Sequence, residues 1–73
     1  MVNENNKKVA VIGCGFFATN HILSWSNFKD VDLVGVCDLD EARAINASNI
    51  SKGTPYFTDA EVMLKEVRPD VVD

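Results

Sequence analysis

The sequence predicts an α/β fold, a parallel sheet with helices on both of its faces. Two observations predict it. Apolar, β-branched runs alternate with helical patterns along the chain in the order β-α-β-α-β-α-β; a parallel sheet with crossover helices requires that alternation. The first run, "KKVAVIG", is apolar throughout instead of alternating, as in a strand buried on both faces. Right-handed crossovers with short connections then leave few topologies, and the strand order expected of the nucleotide-binding version is 3-2-1-4.

Each element carries its own signals. Residues 1–6 are polar and read as a disordered lead-in. A strand starts at Lys7, glycines follow it, and a helix is predicted from Phe16 to Asn27. Ala18, Ile22 and Trp25 fall at i, i+4 and i+7 and so share one face of that helix. After a break at Lys29-Asp30, the β-branched run Val31–Cys37 reads as a second strand. A helix from Asp40 to Ile50 has Gly53 just beyond it as a stop signal. Pro55-Tyr56-Phe57 is a brief third strand. Thr58-Asp59-Ala60-Glu61 matches a capping box, in which Thr58 and Glu61 satisfy each other's free backbone donors. The helix it opens puts Ala60, Met63, Leu64 and Val67 on one apolar stripe, and Pro69 ends it. "DVVD" begins a fourth strand. Parallel strands usually run about five or six residues, and a sheet ending here leaves an open apolar edge. Residues 7–73 are therefore expected to be the first half of a larger domain, incomplete at its C-terminal side.

Composition narrows the function classes. The chain has 73 residues. A domain of this size buries only about 60% of the surface of its unfolded chain, so its stability is marginal. A net charge of −4 and a pI near 4.7 argue against nucleic acid, which needs a basic face. The N-terminus has no apolar h-region and no run approaches the roughly 18 apolar residues of a membrane span. Cys14 and Cys37 are too few for a disulfide framework and lack zinc spacing. No metal is expected, and reduced thiols point to the cytoplasm. Asn46-Ala47-Ser48 and Asn49-Ile50-Ser51 match the N-glycosylation pattern but, without a signal peptide, are expected to be unmodified.

The stretch "VAVIGCGFFATNHI" carries the chemistry. Gly13-Cys14-Gly15-Phe16-Phe17-Ala18 fits G-x-G-x-x-G/A. That pattern is weak alone. Here a strand precedes it, a helix follows it, and Asp38 stands at the end of the next strand at the spacing of the dinucleotide fingerprint. Gly13 permits the tight turn, Gly15 lets backbone approach a pyrophosphate, and Ala18 lets the helix pack close to the strand. Free N–H groups near Phe16 and Phe17, aided by the helix dipole, point at the phosphates. The Asp38 carboxylate accepts bonds from the adenosine ribose hydroxyls and repels a 2′-phosphate, which favours NAD over NADP. Leu39 and Asp40 offer no cation for such a phosphate; Arg43, a turn into the helix, is the nearby positive charge.

Blander readings stand beside these. The glycine turn could be only a tight turn, and Asp38 only a helix N-cap, although Asp40 is the better placed cap. His21, in mid-helix, invites a catalytic reading, but a structural role is expected. Cys14 and Cys37 lie near each other at strand ends, as a redox pair or as small buried hydrophobes, with the second favoured. Trp25 is read as packing, and the Glu and Lys residues of the last helix as a solvated face.

"KKVAVIGCGFFATNHI", "VDLVGVCDLDEARA" and "PYFTDAEVMLKEVRPDVVD" together resemble the N-terminal domain of the Gfo/Idh/MocA oxidoreductases, a Rossmann-type nucleotide-binding domain. The resemblance runs from Lys7 onward. The His after the turn, the "CDLDEARA" exit from strand 2 and the "FTD…PDVVD" close are its more particular parts. It implies hydride transfer between a nicotinamide cofactor and a sugar, cyclitol or related secondary alcohol, bound with the help of a second, larger α/β domain. It implies that Gly13, Gly15, Phe16 and Phe17 line the pyrophosphate, and that Asp38 and Leu39 line the adenosine end. The full-length chain is expected to self-associate. The family's Glu-Lys-Pro motif, whose Lys helps in catalysis, does not occur here, so no catalytic residue is carried over. Leu39 replaces the Pro often found after the strand-2 Asp. Rival readings are a non-enzymatic, dinucleotide-binding regulator of the same fold and a different Rossmann dehydrogenase.

Overall fold

The computed structural model describes residues 6–15 and 18–73. Four parallel strands and three helices alternate: β1 (Lys7–Ile12), α1 (Ala18–Asn27), β2 (Val31–Cys37), α2 (Glu41–Ile50), β3 (Tyr56–Phe57), α3 (Ala60–Val67) and β4 (Val71–Val72). The strands form one sheet in the order β3-β2-β1-β4, the order expected. β2 has the bounds read from its β-branched run. Phe16 and Phe17, the predicted start of α1, lie outside the described residues. Pro55 precedes β3, yet its carbonyl still accepts the Val36 N–H at 3.0 Å.

The apolar run of β1 is buried on both faces, as its composition requires: Val9, Ala10 and Val11 are all buried. On one face Val11, Cys14 and Val36 pack with Ile22 of α1 and Ala47 of α2, and Trp25, Leu33 and Ile50 border the cluster. On the other face Ala10 and Cys37 pack with Met63 of α3, bordered by Phe57, Ala60 and Val67. Fully burying a side chain such as Ile22 or Met63 contributes roughly 1.5–3 kcal/mol, so these two clusters are the main source of stability.

The ladder between β1 and β2 is irregular at one point. Val9 pairs with Leu33, but the next residue, Ala10, pairs with Gly35. β2 thus carries one extra residue, Val34, a bulge in a parallel pair. Beyond it, Val11 faces Val36 and Ile12 faces Cys37. Gly35 then lies directly under Met63. A Cβ at position 35 would stand 2.9 Å from Met63 Sδ and 3.1 Å from its Cγ.

The caps correct one expectation. α3 is capped by Asp59, whose carboxylate accepts the N–H groups of Glu61 and Val62 at 2.9 and 3.2 Å. Asp59, and not the Thr58 of the predicted capping box, takes the extended N-cap position, so the helix starts one residue later than that box places it. Leu64, expected in the apolar stripe of α3, is 37% exposed; the short helix turns only Met63 fully inward. The helix ends at Arg68, which adopts the left-handed conformation and bonds back to the Leu64 carbonyl at 3.1 Å, just before Pro69. α2 begins at its cap Asp40 and is followed by Gly53 at φ +103°, the stop its sequence signalled.

The Gly35–Met63 contact generates a test. Gly35→Ala in the full-length protein is expected to cost about 1–3 kcal/mol by overpacking, read as a lower midpoint in chemical denaturation. In a Met63→Ala background the added methyl should cost less, since the two sites share one space. An unchanged midpoint for Gly35→Ala alone would show that the contact is not tight.

Candidate functional site

The chain steps outward from β1 to β2 to β3, and α3 then returns it to the far side of β1, where β4 pairs with Val9 and Ala10. The order therefore reverses at β1. In open parallel sheets ligands bind outside the carboxyl ends of the strands at such a reversal. The Gly13–Gly15 turn leaves β1 at this place.

The turn is held from β2. Gly13 has φ +89°, a left-handed conformation natural to glycine, and its N–H donates to the Cys37 carbonyl at 2.8 Å. Cys14 is buried; its N–H donates to Asp38 Oδ2 at 2.8 Å, and its Sγ–H to the Cys37 carbonyl at 3.2 Å. Gly15 is outside the left-handed region. Among the described residues, nothing but each glycine's own chain neighbours lies within 4 Å of where a Cβ would stand on Gly13 or Gly15, so the turn presents bare backbone.

Asp38 joins three strands. Its own N–H donates to the Phe57 carbonyl at 3.1 Å, Oδ2 takes the Cys14 N–H, and Oδ1 takes the Asp40 N–H at 2.8 Å. These two backbone donors, Asp40 first and Cys14 second, hold its carboxyl below the ordinary carboxylate range, and the charge of Arg43 adds to the effect. Asp38 is not the cap of α2. Asp40 is, through the Arg43 N–H at 3.3 Å. Leu39 is 93% exposed beside it.

Between the ends of β1, β2 and β3 lies an open depression of about 260 Å³, lined by Ile12, Gly13, Cys37, Asp38, Leu39, Thr58 and Ala60. The fold thus brings Gly13, Asp38 and Leu39 together. Gly15 continues the same turn, and α1 begins at Ala18. Thr58 and Ala60 were not singled out in the sequence as site residues. The expected strand order was the signal for them, since it sets the end of strand 3 beside the end of strand 2.

The two thiols do not form a pair. Cys14 packs on the face covered by α1 and α2, and Cys37 on the face covered by α3. Both are free and buried. Burial pushes both thiols up, and the charge of Asp38 raises them further, so they behave as small hydrophobes.

His21 is exposed, with Nδ1 3.0 Å from Asp73 Oδ2. Trp25 Nε1 donates to the same oxygen at 2.8 Å, and the Trp25 ring meets Phe28 edge-on at 5.7 Å. The histidine therefore links α1 to the residue that follows β4. Among the described residues, no helix is long and apolar enough to cross a membrane.

The pattern of the Gfo/Idh/MocA oxidoreductase family, described as having an NAD-binding Rossmann fold, matches residues 7–73. The chain belongs to that family. It is 36% identical over 66 residues to a D-apiose dehydrogenase of Paraburkholderia graminis, covering 90% of this chain and 18% of that protein. It is 40% identical over 42 residues to a D-apiose dehydrogenase of Rhizobium rhizogenes, covering 58% of this chain and 12% of that one. The chain thus spans less than a fifth of the length of these relatives. Among solved structures, it resembles an oxidoreductase from Agrobacterium radiobacter in complex with NAD+, L-tartaric acid and magnesium, with a TM-score of 0.83 and 31% identity over 93% of this chain and 20% of that one. It also resembles the WlbA dehydrogenase from Chromobacterium violaceum in complex with NADH and UDP-GlcNAcA, with a TM-score of 0.81 and 25% identity over 97% of this chain and 21% of that one.

The carboxylates of this Gfo/Idh/MocA domain give it a defined acid limb. Asp38 is lowered by backbone donors, and Asp73 by Trp25 and then His21. A group whose pKa falls on folding adds stability above its unfolded value and loses it as pH drops through the folded value. Stability owed to these two groups is therefore expected to be flat from about pH 5 to 8 and to fall only below the ordinary carboxylate range. Circular dichroism of the full-length protein against pH checks this. Asp73→Asn should flatten the acid limb, and a loss centred near neutrality would contradict the assignment.

Proposed function

We propose that residues 7–73 form the first half of the dinucleotide-binding domain of an NAD-dependent dehydrogenase, and that the depression and glycine turn hold the adenosine and pyrophosphate. The observation that carries this reading is Gly15. Its φ lies outside the left-handed region, and apart from its chain neighbours no described residue lies within 4 Å of a Cβ there. The dinucleotide fingerprint puts at this position a glycine whose bare backbone a pyrophosphate can approach closely, and the open space at Gly15 leaves room for that approach.

The residues present fit such a group. An ionised carboxylate has about four acceptor sites, and Asp38 uses one on each oxygen for Cys14 and Asp40. The remaining sites suit the two hydroxyls of an unphosphorylated ribose. Leu39, Thr58 and Ala60 offer apolar surface for a flat base. Phe16 and Phe17, which lie outside the described residues, and Ala18 at the start of α1 are assigned from the sequence to the phosphate end. A nicotinamide supplies the hydride acceptor or donor. The chain's part is to bind and orient the remote half of that cofactor, and the proton-transfer groups are assigned to the rest of the full-length protein. D-apiose dehydrogenases among the relatives support a sugar or a related secondary alcohol as substrate. Two free cysteines support a reducing, cytoplasmic setting.

Two variants test this in the full-length protein. Gly15→Ala is expected to leave the denaturation midpoint of the ligand-free protein nearly unchanged while weakening NAD at least about tenfold, a loss of roughly 1.4 kcal/mol. A variant that loses stability instead, with NAD affinity intact, would return the turn to a purely structural role. Asp38→Ala is expected to shift the ratio of NADP to NAD dissociation constants about tenfold toward NADP, measured by titration calorimetry. An unchanged ratio would remove the ribose assignment.

A further inference from the structure

We infer that Asp38 also acts as a positioning residue, whose carboxylate holds the Gly13-Cys14-Gly15 turn in its open shape independently of any contact with ribose. This rests on the dinucleotide reading above and adds to it. The contact that carries it joins residues 24 apart in sequence, the Cys14 N–H and Asp38 Oδ2 at 2.8 Å.

Neither secondary element requires that bond. The last sheet bond of β1 on this side is Gly13 N–H to the Cys37 carbonyl. Cys14 N–H is the next donor along, beyond the ladder, and Cys14 is buried. A donor in that position needs an acceptor, since leaving it unmade is costly. The Cys37 carbonyl already accepts from Gly13 N–H and Cys14 Sγ. Asp38 Oδ2 is the acceptor that remains within reach.

The carboxylate is itself fixed. Asp38 N–H is tied to the Phe57 carbonyl, and Oδ1 is tied to the Asp40 N–H. The side chain therefore cannot swing away without giving up a second bond. Glycine turns lack side chains to set their shape and are flexible when free. A bond from the neighbouring strand removes that freedom before binding, so less ordering remains to be done when a pyrophosphate arrives. One carboxylate then does two tasks. Its free acceptor sites discriminate the ribose, and its occupied ones shape the phosphate turn.

Two measurements on the full-length protein separate these tasks. The first compares NAD with an analogue carrying 2′,3′-dideoxyadenosine, which has no adenosine ribose hydroxyls to offer. If Asp38 also braces the turn, Asp38→Ala still binds this analogue about tenfold more weakly than wild type, the scale of one charge-assisted hydrogen bond. If Asp38→Ala and wild type bind the analogue equally, the brace is overturned while the ribose reading survives. If wild type binds NAD and the analogue equally, and Asp38→Ala weakens both alike, the ribose reading fails and the brace stands. The second measurement needs no ligand. Amide hydrogen exchange in a peptide spanning Gly13–Gly15 is expected to quicken about tenfold in Asp38→Ala. It should quicken less in Asp38→Asn, which keeps the shape and one acceptor oxygen and serves where the alanine variant folds poorly. Unchanged exchange in both variants would overturn the brace.

Discussion

The carbonyl of Cys37 and the carboxylate of Asp38 receive the chain as it leaves β1, taking Gly13 N–H, Cys14 Sγ and Cys14 N–H between them. The arrangement of the site follows from that grip. A strand that simply ended at Ile12 would release its chain into solvent, and a glycine turn has no side chains of its own to define a path. With three bonds to β2, the turn instead continues the sheet by two residues before α1 begins. Asp38 can do this because its backbone is itself paired to β3. The site is therefore a property of three neighbouring strands and not of the glycines alone.

The two faces of the sheet solve packing differently. α1 and α2 share one face and bury branched side chains, Val11, Ile22 and Val36, against it. α3 covers the other with one flexible residue, Met63, and needs Gly35 beneath it to come close. An unbranched thioether fills an irregular space well. The extra residue in β2 puts the glycine there: with Val34 left over, Leu33 and Val36 border the same cluster and Gly35 turns to α3.

Much of this was legible in the sequence. The order of elements follows from alternating patterns, and the strand order 3-2-1-4 from the short, right-handed connections they allow. The turn and Asp38 were visible because the fingerprint depends on spacing along the chain. Other features depend on position in space, and a single sequence does not print it. "VDLVGVC" reads as one apolar run, so nothing in it marks Val34 as unpaired or assigns faces to the residues around it. Thr58 and Asp59 are both good caps, and only the backbone path decides between them. Leu64 fits the helical period, but α3 spans eight residues, Ala60–Val67, too few to turn a full stripe inward. Cys14 and Cys37 are near neighbours at the strand ends, yet Gly13, at φ +89°, breaks the alternation after Ile12 and sets Cys14 on the side opposite Cys37.

That last separation gives the molecule a pair of internal clocks. One buried thiol sits in the layer of α1 and α2 and the other in the layer of α3, with the sheet between them as a wall. Each thiol is buried in its own layer, and layers of a protein open with different free energies. The rate at which each thiol is trapped thus times the opening of one side of the sheet without reporting on the other. Two buried side chains thus carry a means of asking which side of the sheet comes apart first.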